Sequence, residues 1–217
     1  EPATGLDAAL SEPVEDSVYP RVGDPGVDAL HYDLTLDWDP ASDTLTGREV
    51  LTFRSTTTAP RFQLDLGRPL TVGALTLDGV EVPFTERGKD LVVEAPVAED
   101  QRYELALDYA GTPRAVPAPT LRSDFSTTGF TITDTHETWT MQEPYGAFTW
   151  YAVNDHPSDK ALYDFTLSAP SPWVGVANGP LESQSEADGV MTTDFHLDDP
   201  AASYLTTIAI GAYRSDE

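Results

Sequence analysis

His31-Tyr32-Asp33-Leu34-Thr35-Leu36-Asp37-Trp38-Asp39 decides the fold class. Tyr32, Leu34, Leu36 and Trp38 alternate with Asp33, Thr35, Asp37 and Asp39. Successive side chains of a β-strand point to opposite faces, so the run predicts a strand with one dry and one wet face. A helix would need its apolar residues three and four apart.

The alternation recurs on the C-terminal side. Leu51 and Phe53 belong to a second run, and Phe62, Leu64 and Leu66 to a third. Residues 72–77 and 80–84 flank Asp78-Gly79, a dipeptide that accepts the positive φ angles of a tight hairpin turn. Residues 91–93 and the series Tyr103, Leu105, Leu107, Tyr109 continue the meander. Pro113, Pro117 and Pro119 remove ladder donors, so 111–119 reads as a connection. Strand signals resume at 129–133, 137–141, 162–167, 173–177, 191–197 and 204–210, and no segment has the length and period of a helix. The expectation is an all-β chain: a multi-stranded, saddle-like β-sandwich whose sheet edges a neighbouring domain covers.

A chain of 217 residues with 40% hydrophobic content can bury one sizeable core, giving a single domain over 19–217. Residues 1–18 are acidic and rich in Ala, Pro and Ser, without the positive start and apolar run of a signal peptide. They read as a flexible leader. A mature end left after cleavage would suit an extracytoplasmic or secreted protein, with a cytoplasmic location left open.

Thirty-seven acidic residues against twelve basic ones give a formal charge of −25. Such a field repels phosphate backbones and anionic lipid, which argues against nucleic-acid and membrane partners and favours cationic ones. No run approaches the roughly 18 apolar residues of a membrane helix. Lys89 and Lys160 are the two lysines, a bias that points to a GC-rich genome more than to a function. There are no cysteines, which excludes disulfides, thiolate metal sites and cysteine catalysis.

Residues 140–181 carry a resemblance that the residue periods alone do not. Thr140, Glu143, Pro144, Ala147, Asp155, Pro157, Lys160, Ala161, Asp164 and Leu167, followed by the turn Ala177-Asn178-Gly179, are similar to T-Q-F-E-P-x-x-A-R-R-x-F-P-C-F-D-E-P-x-x-K-A-x-F-D-I-x-L and its small-Asn-Gly turn. That is a signature of zinc aminopeptidases of the aminopeptidase N type, which are gluzincin metallopeptidases. Gly23-Asp24-Pro25-Gly26, Asp28 and His31–Leu34 resemble the family's opening strand, and 204–213 the strand that closes its N-terminal domain. The resemblance spans 18–213 in a consistent order.

The resemblance implies a non-catalytic N-terminal domain that shapes a substrate cleft, with the catalytic domain of the same polypeptide as partner. Zinc belongs to that missing domain and no cofactor to this chain. The zinc motif H-E-x-x-H puts two imidazoles on one helix face; here His136-Glu137 starts like it, but position 140 is Thr and the segment has strand character. The family's G-A-M-E-N segment is absent too. His31, His156 and His196 stand singly and read as structural.

One binding role carries over. The family's acid in T-Q-x-E pairs with the α-ammonium group of the peptide substrate, and its position falls on Glu143, with Gln142 beside it. Met141 stands where Gln is common, and a one-residue shift would make Gln142 that Gln. Phe148 and Thr149 replace the Arg pair, and Asn154-Asp155-His156-Pro157 replaces F-D-E-P.

A rival reading is a free-standing module for peptide or carbohydrate. Trp139, Tyr145, Phe148, Trp150 and Tyr151 cluster in the sequence, and exposed rings on a sandwich can stack on sugars. Core packing is the commoner fate of such rings. Glu99-Asp100 and Asp198-Asp199 read as solvated acids rather than glycosidase carboxylates or calcium ligands.

Overall fold

The computed structural model describes residues 5–120, 124 and 126–213. Among the described residues sixteen strands follow in order, the first eight being β1 (Val27–Asp39), β2 (Thr44–Ser55), β3 (Phe62–Asp65), β4 (Thr71–Leu77), β5 (Val80–Glu81), β6 (Phe84–Arg87), β7 (Asp90–Val93) and β8 (Arg102–Gly111). The second half holds β9 (Val116–Pro117), β10 (Thr127–Ile132), β11 (Thr138–Met141), β12 (Lys160–Pro170), β13 (Val174–Ala177), β14 (Leu181–Ala187), β15 (Val190–Ala202) and β16 (Ile208–Gly211). Three 3-10 turns, Leu6–Ala9, Ala147–Thr149 and Ser203–Leu205, are the helical elements among the described residues. The fold is all-β, as the alternation predicts.

The strands form three sheets. The largest has the order β14-β15-β12-β1-β2-β8-β4-β5, the second β13-β16-β11-β10-β9 and the third β3-β7-β6. Within the first, β1 runs antiparallel to β2 but parallel to β12, with Asp33 opposite Asp164. Tyr32, Leu34, Leu36 and Trp38 of β1 are buried while Asp33, Asp37 and Asp39 face out. Burying each such apolar side chain contributes about 1.5–3 kcal/mol. Tyr32 stacks on Tyr163 at 5.2 Å, and Trp38 meets Phe130 of the second sheet at 5.6 Å, so one core joins the sheets.

Asp78 and Gly79 both have positive φ, 50° and 75°, as the hairpin reading requires. The run 80–84 breaks at Val82-Pro83 into β5 and β6, which enter different sheets. The connection 111–119 contains a short edge strand, β9, where Pro117 sits opposite Thr127; an edge is where proline is tolerated in a sheet. The segment 204–210 splits into the turn Ser203–Leu205 and β16. β14 has no apolar period, because all seven residues are exposed on the outermost strand of the large sheet.

Residues 1–4 of the leader lie outside the described residues. Beyond them Ala9 is buried with Leu30 and Leu162, and Ser11 N–H donates to Asp28 at 3.0 Å. Asp28 also holds Arg54, whose Nε lies 2.8 Å from Oδ2.

Candidate functional site

β11 delivers the chain to Gln142 and Glu143, where the ladder ends and a loop begins. Gln142 turns inward and is 1% exposed. Its Nε2 donates to the carbonyls of Ser203, at 3.2 Å, and Thr206. Glu143 turns outward and is exposed. A strand's alternation thus persists through the two candidate residues, one pointing into the domain and the next away from it.

Asp155 shapes the loop that follows. It is fully buried, and its Oδ2 accepts the backbone N–H of Gly146 at 2.8 Å and of Phe148 at 3.3 Å. Its Oδ1 accepts the Ser203 hydroxyl at 2.7 Å. Burial pushes its pKa up, against the pull of these three donors. Gly146 has φ 146°, and a Cβ there would lie 2.6 Å from Thr128 Oγ1 and 3.0 Å from Gln142 Cβ. Glycine alone fits the turn.

Asn154 fastens the other side. Its Nδ2 donates to Val27 O at 2.8 Å and to Asp159 Oδ2 at 2.6 Å, and its Oδ1 accepts Asp24 N–H at 2.7 Å. The Asp159 pKa is pushed up to about 8, first by burial. Asp65 sits beneath Lys89, with Nζ at 2.5 Å, and also accepts Gly23 N–H at 2.8 Å. Burial outweighs the lysine and raises its pKa to about 6.

The aromatic cluster divides. Trp150 and Tyr151 are fully buried and Phe148 nearly so, which takes these three rings out of any sugar-binding platform. Trp139 remains exposed on β11. His156 is buried, with Ser158 Oγ 2.7 Å from Nδ1, and His136 pairs with Asp43 at 2.8 Å.

His31 and His196 do not stand singly, contrary to the sequence reading. Asp164 lies between them, 2.8 Å from His31 Nε2 and 2.5 Å from His196 Nδ1. The parallel pairing of β1 with β12 brings His31 to Asp164, the antiparallel pairing of β12 with β15 places His196 opposite it, and no local motif announces either. Among the described residues, no group of three His, Asp or Glu side chains is arranged to hold a metal ion.

The sequence profile of the Peptidase M1 N-terminal domain matches residues 28–205. The chain belongs to this family. An M1 zinc metallopeptidase from Deinococcus radiodurans superposes with a TM-score of 0.81 at 27% identity, covering 90% of this chain and 45% of that one. A variant of the same organism's metallopeptidase, bound to a Tyr-Ser-Ala substrate, gives 0.80 at 28% identity over 90% and 46%. A two-domain M1 zinc metallopeptidase variant bound to L-tryptophan gives 0.81 at 28% identity, again over 90% and 46%. The M1 N-terminal domain described here therefore spans less than half the length of these structures. Comparison with curated proteins gives no match.

Proposed function

We propose that this M1 N-terminal domain is the non-catalytic front of a zinc-dependent aminopeptidase, forming one wall of the substrate cleft. In this reading Glu143 takes the α-ammonium group of a peptide, and Gln142 holds the backbone from which Glu143 projects. What supports it is the exposure of Glu143 between fastened neighbours, with Gln142 bound to Ser203 and Thr206 and the following turn bound to Asp155. A carboxylate held on a rigid base selects a charged chain end over an internal peptide bond. The Tyr-Ser-Ala bound to the related metallopeptidase makes peptide the substrate class carried over.

Zinc, in a catalytic domain outside this chain, would supply Lewis acidity and an activated water. The chain's own part is to bind and orient the amine and to keep the cleft in shape. In the parent enzyme, Glu143→Ala should lower kcat/KM on free-amine peptides by the equivalent of about 1–3 kcal/mol. Glu143→Gln keeps shape without charge and should lose nearly as much. Unchanged kinetics in both variants would remove the role.

A further inference from the structure

Beside the candidate site lies a cavity of about 720 Å³, with Tyr19, Arg21, Arg87, Lys89 and Tyr145 in its lining. That volume is in the range of small-ligand sites. One buried carboxylate fixes two of its walls. Asp65 accepts Gly23 N–H at 2.8 Å, two residues beyond Arg21, and binds Lys89 Nζ at 2.5 Å, two residues beyond Arg87. The rings of Tyr19 and Tyr145, edge-on at 5.1 Å, form another part of the wall.

The charge of this lining runs against that of the chain. Three of the 12 basic residues stand in it, in a chain that carries 37 acidic ones. Its two acids are engaged: Asp24 accepts the N–H groups of Gly26 at 2.8 Å and Gln63 at 3.0 Å, and Asp90 lies 3.2 Å from Lys89 Nζ. Arg21 and Arg87 are exposed and form no ion pair among the described residues. Their guanidinium groups are thus left to face the cavity's contents. A guanidinium presents a planar fork that meets a carboxylate through two parallel hydrogen bonds, and a concave wall focuses its field.

We propose that Arg21 and Arg87 bind a carboxylate of the peptide whose amine Glu143 holds, which makes the substrate class a short peptide with a carboxylate near its N-terminus. The proposal rests on the reading of Glu143 as the amine's partner. Reach agrees, because Tyr145 in the cavity wall is two residues from Glu143, a span of at most about 7 Å along the backbone. A peptide anchored by its amine therefore arrives at the cavity within its first few residues. The carboxylate has two sources, the C-terminus of a very short peptide or an acidic side chain.

Paired peptides test it in the parent enzyme. Ala-Ala-Ala is compared with its C-terminal amide, and Ala-Glu-Ala amide with Ala-Gln-Ala amide, so that the first pair reports the terminal carboxylate and the second the side chain. The double variant Arg21→Gln/Arg87→Gln should lower the acid-over-neutral ratio of kcat/KM several-fold in at least one pair, mainly through KM. Arg48→Gln/Arg102→Gln removes as much charge from the large sheet and should leave the ratios near those of the unaltered enzyme. Ratios untouched by the first variant, or lowered equally by both, would overturn the proposal. Alanine 4-nitroanilide, which has an amine and no carboxylate, separates the two readings. If Glu143→Ala slows its cleavage while the ratios ignore the arginines, the cavity fails and the amine role stands. If the ratios follow the arginines while Glu143→Ala changes nothing, the amine role fails alone. Should the parent cleave none of these peptides, nuclear magnetic resonance of the 217-residue chain decides. Ala-Glu-Ala amide should shift the amide signals of Gly23 and Gly88 more than Ala-Gln-Ala amide does, and the arginine double variant should remove the difference; equal or absent shifts would overturn the proposal.

Discussion

The Ser203 hydroxyl donates a 2.7 Å hydrogen bond to the buried carboxylate of Asp155. The two residues lie on either side of β12–β15, so the bond ties the loop after Glu143 to the turn that leads into β16. Replacing Asp155 by Ala strands three donors, the N–H groups of Gly146 and Phe148 and the Ser203 hydroxyl. Asp155→Ala should cost about 3 kcal/mol in urea unfolding, and Ser203→Ala about 1 kcal/mol. Equal small losses would mean that the carboxylate does not organise the loop.

Stability should fall as the solution is made less acidic. Burial raises Asp65 to about 6 and Asp159 to about 8 and also lifts Glu49, whose Oε1 has no hydrogen-bond partner. These folded-state values lie above those of the unfolded chain, so the unfolded chain releases its protons first. The stability that Asp65 and Asp159 contribute is complete below about pH 4 and declines toward about pH 8. The total change is on the order of several kcal/mol. Asp159→Asn should flatten the upper part of the profile. Midpoints of urea unfolding across that range check the sign, and a rise in stability with pH would contradict it.

Gly47 sits opposite Tyr109 across β2 and β8. A Cβ at Gly47 would lie 2.2 Å from Tyr109 Cζ, in a ring that is 2% exposed. Gly47→Ala should therefore destabilise the domain by about 1–3 kcal/mol through overpacking. Gly73→Ala is the control, because the nearest atom to its Cβ would be Asp108 O at 3.8 Å. Thermal unfolding of the two variants separates crowding from loss of backbone freedom.

His196 should titrate above an ordinary histidine, chiefly through its hydrogen bond to Asp164. Nuclear magnetic resonance of the imidazole ring across pH 5–8 would show this, and Asp164→Asn should return it toward the usual value. Its folded pKa is raised, so its small contribution to stability is present at low pH and lost as pH rises through it. Solvent screening keeps that contribution well under the buried groups' share.

The sequence makes strands with one buried face readable, because water sorts their side chains by polarity. β1 and β8 show the period of two that their burial obeys. β14 shows none, since an outermost strand with no buried face has nothing to sort. Asp188-Gly189, with φ of 52° and 79°, was the available sign of the β14–β15 hairpin. At the candidate site, the resemblance singles out Glu143 as a candidate, whereas the contacts that hold the loop around it have no sign in the sequence. Asp155 reaches Ser203 across 48 residues, and the pairing of His31 with Asp164 spans 133. Spacing along a chain does not encode contacts set by sheet register.

The parallel seam between β1 and β12 also sets an order of events. β1 is paired on one side by β2 soon after it is made, but its other edge waits for a strand 133 residues later. At roughly 5–20 residues per second of synthesis, that edge stays open on the order of ten seconds. An open edge invites pairing with other nascent chains. The aspartates at positions 33, 37 and 39 of β1 charge its outward face during that interval. The charge on the outward face of β1 is thus in place to guard the strand while the domain is still half made.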